Sequence, residues 1–437
     1  MTQREPGTRT REPDRGGEQG GAPGEAERPE AGRPAHARGR GRAAGALSWL
    51  RGVTDTPLAP GLLVLAGALV FVLARLHDAA HGDITRFVRA ERAFARPARV
   101  PHGLFVYAAN GYDGQFYYRL ALNPLNLHHT AYGITIDTPF RFQRIGYPVL
   151  AWLASGGQHA LVPAAMVAVN VAAMTAIGLL GGVFARAAGR HALWGALLAS
   201  YAGLVSALGR DLTEPAGAAL MLGGLLALRR RQPVLAGLLL ACAALTRETA
   251  LVVVCAIGLA RLVQIALRRA RPGWAEFAWL APLAAFGAWQ LVLRRATGGF
   301  TLLASLSSNG KGGLPGSAFW HALRVNAGLL STSQGTQADV WFVEVATLLL
   351  FAAAALTALR ATTVPAHERI AFAAFVIELA FLSHYVWGGF ADLRSVNEVY
   401  LLAVLILLAA PRRRLGALSA AAAATLIAAA AYQVAFM

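Results

Sequence analysis

The chain has 437 residues, 56% of them apolar and 14% charged, and a net charge of +17. That balance excludes an ordinary soluble globule and fits a polytopic protein whose main solvent is the bilayer. Two cysteines, Cys242 and Cys255, stand in apolar segments without ligand-like neighbours; they point to neither a disulfide framework nor a metal site and read as packing residues.

Residues 1–57 are rich in Gly, Pro, Arg and Glu and poor in large apolar side chains. Such a segment cannot bury enough surface to offset the entropy of ordering, so a disordered tail is expected. It carries ten arginines against eight acids, which leaves most of the positive charge in the membrane body. The basic residues are almost all arginine, Lys311 being the single lysine. This excess reads as the codon bias of a GC-rich bacterial genome, and no nucleic-acid partner is expected. The extreme N-terminus lacks a basic-then-apolar start with a cleavage site, so the first hydrophobic segment is expected to stay as an anchor.

Crossing ~30 Å of hydrocarbon takes ~20 predominantly apolar helical residues. Segments of this kind lie at 58–77, 161–184, 192–209, 250–267, 276–293, 341–359, 369–387 and 415–435, with weaker ones at 215–228, 233–245 and 399–411. The expected fold is all-α, a transmembrane helix bundle of about ten or eleven spans over 58–437. The short pair 215–228 and 233–245, hinged at Arg229-Arg230-Arg231, reads either as two spans or as a re-entrant hairpin. With the tail inside, the clusters Arg186/Arg190, Arg229 to Arg231, Arg268/Arg269/Arg271, Arg360/Arg369 and Arg412 to Arg414 all fall on the cytoplasmic side, as short inside loops require. The opposite side, the outer face of a bacterial inner membrane, then receives the long first loop 78–160, the turns at 210–215 and 246–249, the second large loop 294–340, and "GGFADLRSVNEVY" at 388–400.

Every outer turn mixes acids with arginines or aromatics, whereas the inner clusters are plain arginine runs. In "NGYDGQFYYRLALNP", Asp113 precedes a segment that can form a helix ending before Pro124. It reads as an N-cap accepting from the Phe116 amide, as a functional acid, or as both. Gln115 and Arg119 stand at i and i+4 on that helix, with Tyr117 and Tyr118 as interfacial rings. In "ITIDTPFRFQRIGYPVLAWL", Thr138 and Pro139 can open a helix that places Arg141 and Arg144 on one face beside Gln143 and Tyr147. That pair suits either a forked grip on phosphate or snorkelling to lipid headgroups. Asp211 and Glu214, just before Pro215, read as helix-capping acids. Arg247 and Glu248 in "LTRETAL" read as a water-facing turn or as a holder of lipid-linked phosphate. His384, Tyr385, Trp387, Asp392, Arg394 and Glu398 form a further mixed cluster, functional or an aromatic belt with a solvated loop. Glu378 lies near the middle of span 369–387, where an ionisable group is costly and calls for a partner such as Asn170. No phosphate-binding P-loop, dinucleotide fingerprint, HExxH or CxxC pair occurs.

Taken together, "YDGQFYYRLALNP", "GITIDTPFRFQRIGYPVLAWL" and "LTRETAL" resemble a group of bacterial multispanning membrane proteins related to GT-C glycosyltransferases, over roughly residues 58–400. The resemblance implies a GT-C-like bundle whose first outer loop bears short interfacial helices. It also implies transfer of a sugar from a polyprenyl-phosphate-linked donor to a glycan, lipid or protein acceptor outside the membrane, among membrane lipids. Asp113 would match the first-loop acid and act as base. Asp137 would be a possible second carboxylate, and Arg119, Arg141, Arg144, Arg247 and Arg394 would stabilise the departing phosphate. "YDGQ" departs from an Asp-X-Asp or Glu-Asp doublet, which weakens the case for a divalent metal, and no cofactor is expected. The alternatives are a transporter or flippase of a lipid-linked or anionic substrate, and a non-catalytic membrane scaffold.

Overall fold

A computed structural model describes residues 52, 54–302, 314–389, 392–411 and 415–436, all within the unit Arg51–Met437. The expected disordered tail up to residue 51, Lys311 and the cluster Arg412 to Arg414 lie outside the described residues.

The apolar segments form helices: α1 (Leu58–Asp78), α4 (Val162–Ala187), α5 (Ala202–Leu208), α6 (Glu214–Arg229), α7 (Pro233–Thr246), α8 (Ala250–Ala266) and α9 (Phe277–Thr297). They continue with α10 (Ser317–Leu329), α11 (Gly335–Ala358), α12 (Ala366–Leu379), α13 (His384–Gly388), α14 (Asn397–Leu408) and α15 (Leu415–Phe436). Five stretches, Leu58–Asp78, His159–Ala187, Trp274–Thr297, Gly335–Ala358 and Leu415–Ala435, are long and apolar enough to cross a membrane. Large apolar side chains such as Leu62, Leu69 and Leu73 on α1 are exposed, as on a lipid-facing surface. The protein is therefore an all-helical membrane protein.

Two of the remaining predicted spans, 192–209 and 369–387, are interrupted, for identifiable reasons. Segment 192–209 is a 3₁₀ stretch, Ala192–Ala199, followed by the short α5. The break falls at Tyr201, whose extended backbone lets its hydroxyl donate to the Leu393 carbonyl at 2.7 Å while its ring stacks on Tyr400. Non-helical backbone at this depth is tolerated because protein covers it. Segment 369–387 ends as α12 at Leu379, so Glu378 sits at a helix end rather than mid-span. Its proposed partner Asn170 instead donates to the Tyr147 hydroxyl at 2.9 Å and the Leu212 carbonyl at 3.1 Å. The pair 215–228 and 233–245 is a tightly packed antiparallel hairpin, α6 and α7. At 1.5 Å per residue these helices are about 24 and 21 Å long, less than the hydrocarbon thickness of about 30 Å. Cys242 and Cys255 are exposed on the sides of α7 and α8, not packing residues.

At the centre stands α14, buried at every position from Asn397 to Leu408; a helix apolar all round belongs in such a place. Helices α11 and α12 pack on it, α8 packs on α12, and α4 joins α1 to α6. Between α1 and α4, the long loop folds into α2 (Gly114–Leu122), α3 (Gly146–Ala154) and the 3₁₀ turns Ile84–Val88 and Pro139–Gln143. It also holds two small pairings that sequence periodicity did not announce: β1 (Ala90–Glu91) parallel to β2 (Val106–Tyr107), and β3 (Thr130–Ala131) antiparallel to β4 (Ile134–Thr135). The loop buries its own apolar cluster, including Val88, Phe116, Ile136 and Phe142, against α4 and α6. It is a folded cap on one end of the bundle.

Candidate functional site

Close backbone contacts bring distant segments to this capped end. A Cβ on Gly114 would stand 2.3 Å from the Arg210 carbonyl oxygen, so only glycine lets the start of α2 press on the turn before α6. A Cβ on Gly203 of α5 would stand 2.6 Å from the Cα of Arg394, which seats the segment before α14 equally tightly. Asp113 and Arg394 thereby meet. The Asp113 carboxylate makes no capping bond. Its Oδ2 lies 2.7 Å from Arg141 Nη1 and 2.9 Å from Arg394 Nη2.

The 3₁₀ turn Pro139–Gln143 repeats every three residues, which places Arg141 and Arg144 on one side. Arg141 also forks onto Asp137, with Nε to Oδ1 at 3.0 Å and Nη2 to Oδ2 at 2.8 Å. Arg144 forks onto Glu248, with Nε to Oε2 at 2.9 Å and Nη2 to Oε1 at 2.6 Å, and its Nη1 donates to the Tyr117 hydroxyl at 3.1 Å. Buried Arg247 lies 2.7 Å from Glu214 Oε1 and 3.5 Å from Glu398 Oε1, and donates to the Ser395 carbonyl at 3.2 Å. Glu214 also lies 3.4 Å from Arg394 Nε, and the Thr249 hydroxyl donates to Glu398. The result is an unbroken chain Asp137–Arg141–Asp113–Arg394–Glu214–Arg247–Glu398, with the Arg144–Glu248 pair beside it.

Five carboxylates thus face four guanidiniums, all largely out of water. Burial acts to raise the Asp113 carboxyl, but Arg141 and Arg394 outweigh it and hold the group below the usual carboxylate range. Burial opposes ionisation of Glu248 too, yet Arg144 and then Arg247 bring it down to about 2. Burial likewise disfavours the charges of Arg141 and Arg144, and Asp113 and Glu248 respectively hold them well above the ordinary arginine value. A phosphate entering the network would find guanidiniums already set in forked geometry, with carboxylates to displace. Tyr112 floors the centre: the Arg210 and Arg394 guanidiniums lie 4.9 and 5.0 Å from its ring centroid. Among the described residues, no group of three or more His, Cys, Asp or Glu side chains is arranged to hold a metal ion.

Nine of the sixteen candidates meet here: Asp113, Asp137, Arg141, Arg144, Glu214, Arg247, Glu248, Arg394 and Glu398. The other seven do not. Gln115 accepts from the Glu91 amide, and Arg119 turns away to donate to the Asn126 and His128 carbonyls, so the i and i+4 pair binds the loop together rather than a ligand. Tyr118 is buried, and burial pushes its hydroxyl up to about 12. Gln143 accepts from Gln290 and Thr301, and Tyr147 donates to the Met166 carbonyl at 3.0 Å; both fasten the loop to the bundle. His384 is exposed against Tyr385. Asp211 is fully buried with neither oxygen hydrogen-bonded among the described residues, and it does not cap: Thr213 occupies that position of α6, and Glu214 is spent on Arg247 and Arg394. The expected caps at Asp113 and Asp211 are therefore corrected, the first because arginines take its carboxylate, whereas Glu214 does open the first turn of α6, where its charge suits the helix dipole.

Four residues were not marked as candidates by the sequence, Tyr117 being read there only as an interfacial ring. Tyr117 stands four positions after Asp113, one helical turn along the same face, a signal that was present. Tyr112 and Thr249 adjoin residues already singled out. Glu344 is buried with neither oxygen hydrogen-bonded among the described residues. Its predicted span began at 341, which put it near a membrane boundary, but α11 starts at Gly335 and carries it roughly 14 Å along the helix. No family model, curated protein or solved structure matches the chain.

Proposed function

We propose that the chain is an integral membrane glycosyltransferase of GT-C type, moving a sugar from a polyprenyl-phosphate-linked donor to a glycan, lipid or protein acceptor at the outer membrane face, with Asp113 as base. The observation that carries this reading is the grip on Asp113 by Arg141 of its own loop and by Arg394, 281 residues away. Acid and arginine segments far apart in sequence share one site. In a single displacement the acceptor oxygen bonds to the anomeric carbon as the bond to the phosphate oxygen breaks, and the configuration inverts. Asp113 takes the hydroxyl proton, and the guanidiniums neutralise the phosphate that leaves.

A carboxylate held by two guanidiniums is a poor base. A donor phosphate competes for those same guanidiniums, so loading the site frees Asp113 and restores its proton affinity. The lipid tail has a place to lie. An apolar cavity of about 970 Å³ lies between α1, the Ala192–Ala199 segment, α5 and α15. Val205 and Leu208 of α5 line it, and Gly203 of the same helix abuts Arg394.

The test is transfer by the purified chain from a panel of polyprenyl-phosphate sugars. Asp113→Asn is expected to lower the rate by about 10²–10⁴. Unchanged transfer removes Asp113 as the base, and no transfer by the wild type from any donor removes the class. Buried Glu344 favours a second reading, a flippase or transporter, because an unsatisfied acid inside a long apolar helix is a functional default. Flipping of lipid-linked sugar in liposomes, lost in Glu344→Gln while transfer is absent, would establish it.

A further inference from the structure

At the opposite end of the helices lies a cavity of about 500 Å³, which the reading above does not use. Arg231, Arg261, Gln264 and His367 line it, together with Pro233 and Ala366 at the starts of α7 and α12. No acid is among its lining residues. The two nearest acids are already spent. Glu276 takes Arg261 at 2.7 Å and the Trp279 indole at 2.8 Å, and buried Glu368 takes a forked pair from Arg229.

Positive charge is left over. The Arg231 guanidinium makes no hydrogen bond or ion pair among the described residues, and Arg261 keeps a buried Nε without an acceptor. His367 Nε2 is 4.0 Å from Glu368 and lacks a hydrogen bond. Helices α7 and α12, each of 14 residues, begin at the cavity without side-chain caps, so first-turn amides and the positive ends of two helix dipoles face the same space. Beside the opening, Val234, Leu235 and Leu262 are exposed apolar residues on a lipid-facing flank.

We propose that this cavity binds a phosphate-bearing group, held by Arg231, Arg261 and His367 with the first-turn amides of α7 and α12. The chemistry is shared by an anionic phospholipid headgroup and by free phosphate, and basic pockets between membrane helices suit the former. The proposal does not depend on the glycosyltransferase reading.

The full-length chain in neutral detergent, with phosphatidylcholine, phosphatidylglycerol or inorganic phosphate added, separates the sources by native mass spectrometry and thermal shift. A lipid site predicts retention of phosphatidylglycerol over phosphatidylcholine, reduced at least fivefold in Arg231→Gln and restored in Arg231→Lys. A free-phosphate site predicts stabilisation by millimolar phosphate with the same dependence on Arg231. Because exposed Arg231 has no partner among the described residues, its variants should fold as the wild type does, and His367→Gln is a second, independent probe. No preference for either anion, or a preference unchanged in both Arg231→Gln and His367→Gln, overturns the proposal.

Discussion

Arg247→Met tests whether the charged chain acts as one unit. Arg247 is 2% exposed and faces Glu214 at 2.7 Å and Glu398 at 3.5 Å. Removing one partner from a buried ion pair costs about 3–5 kcal/mol, mostly from the charge left behind. Here Glu214 retains Arg394 at 3.4 Å and Glu398 retains the Thr249 hydroxyl, which argues for the lower end, about 3 kcal/mol. A change of that size in a chain of this length should lower the melting temperature by roughly 3–6 °C. The assay is thermal unfolding in detergent, followed by the loss of the monodisperse peak. Glu214→Gln in the same chain supplies the cycle. With Arg247 already gone, neutralising Glu214 removes the orphaned charge, so the double variant should recover about 2 kcal/mol relative to additivity. Strict additivity, or an Arg247→Met variant that melts with the wild type, would refute the reasoning.

Asp211 predicts the opposite sign. Burial drives its carboxyl well above the usual range, with Arg75 offsetting only part, so the folded protein holds a proton that the unfolded chain loses. That difference costs stability above the unfolded carboxylate range near pH 4 and vanishes below it. Asp211→Asn should gain about 1 kcal/mol or more at pH 7, and nothing at pH 3, in paired melting curves; asparagine also suits the left-handed backbone there, φ 53°. Acid unfolding reports the network itself. Glu248, held at about 2 from an ordinary 4.5, contributes stability that is complete above pH 4.5 and disappears as the pH falls towards 2. The size is on the order of 3 kcal/mol, and the fall should be shallower in Glu248→Gln.

Helical class and most apolar segments were legible because periodicity and length are local properties. Asp113, Arg141, Arg144, Arg247 and Arg394 were legible for a related reason: charge is conspicuous in an apolar chain. Their partners were not. Whether Asp113 caps α2 or meets Arg394 depends on how closely Gly114 and Gly203 let backbones approach, and the segments they press on, at Arg210 and Arg394, lie far from Asp113 in sequence. Arg119 misled for the same reason. It sits on a suitable helix but is spent on the carbonyls of Asn126 and His128, in a turn whose path follows from the whole loop. The break at Tyr201 was invisible because its cause is a carbonyl contributed by Leu393, far along the chain. Glu344 went unnoticed because the predicted span began six residues late, which left the acid close to its boundary.

The 281-residue separation between Asp113 and Arg394 also sets a timetable for biogenesis. While the ribosome is still making the middle of the chain, the first loop has emerged with Asp113 lacking its Arg394 partner, and the turn at Glu214 waits for Arg247 and Arg394 alike. The network closes only when the segment before α14 arrives, 281 residues after Asp113. A nascent chain truncated before that point carries uncompensated charges at the end of a half-built bundle, a mark by which quality control can tell unfinished copies from finished ones.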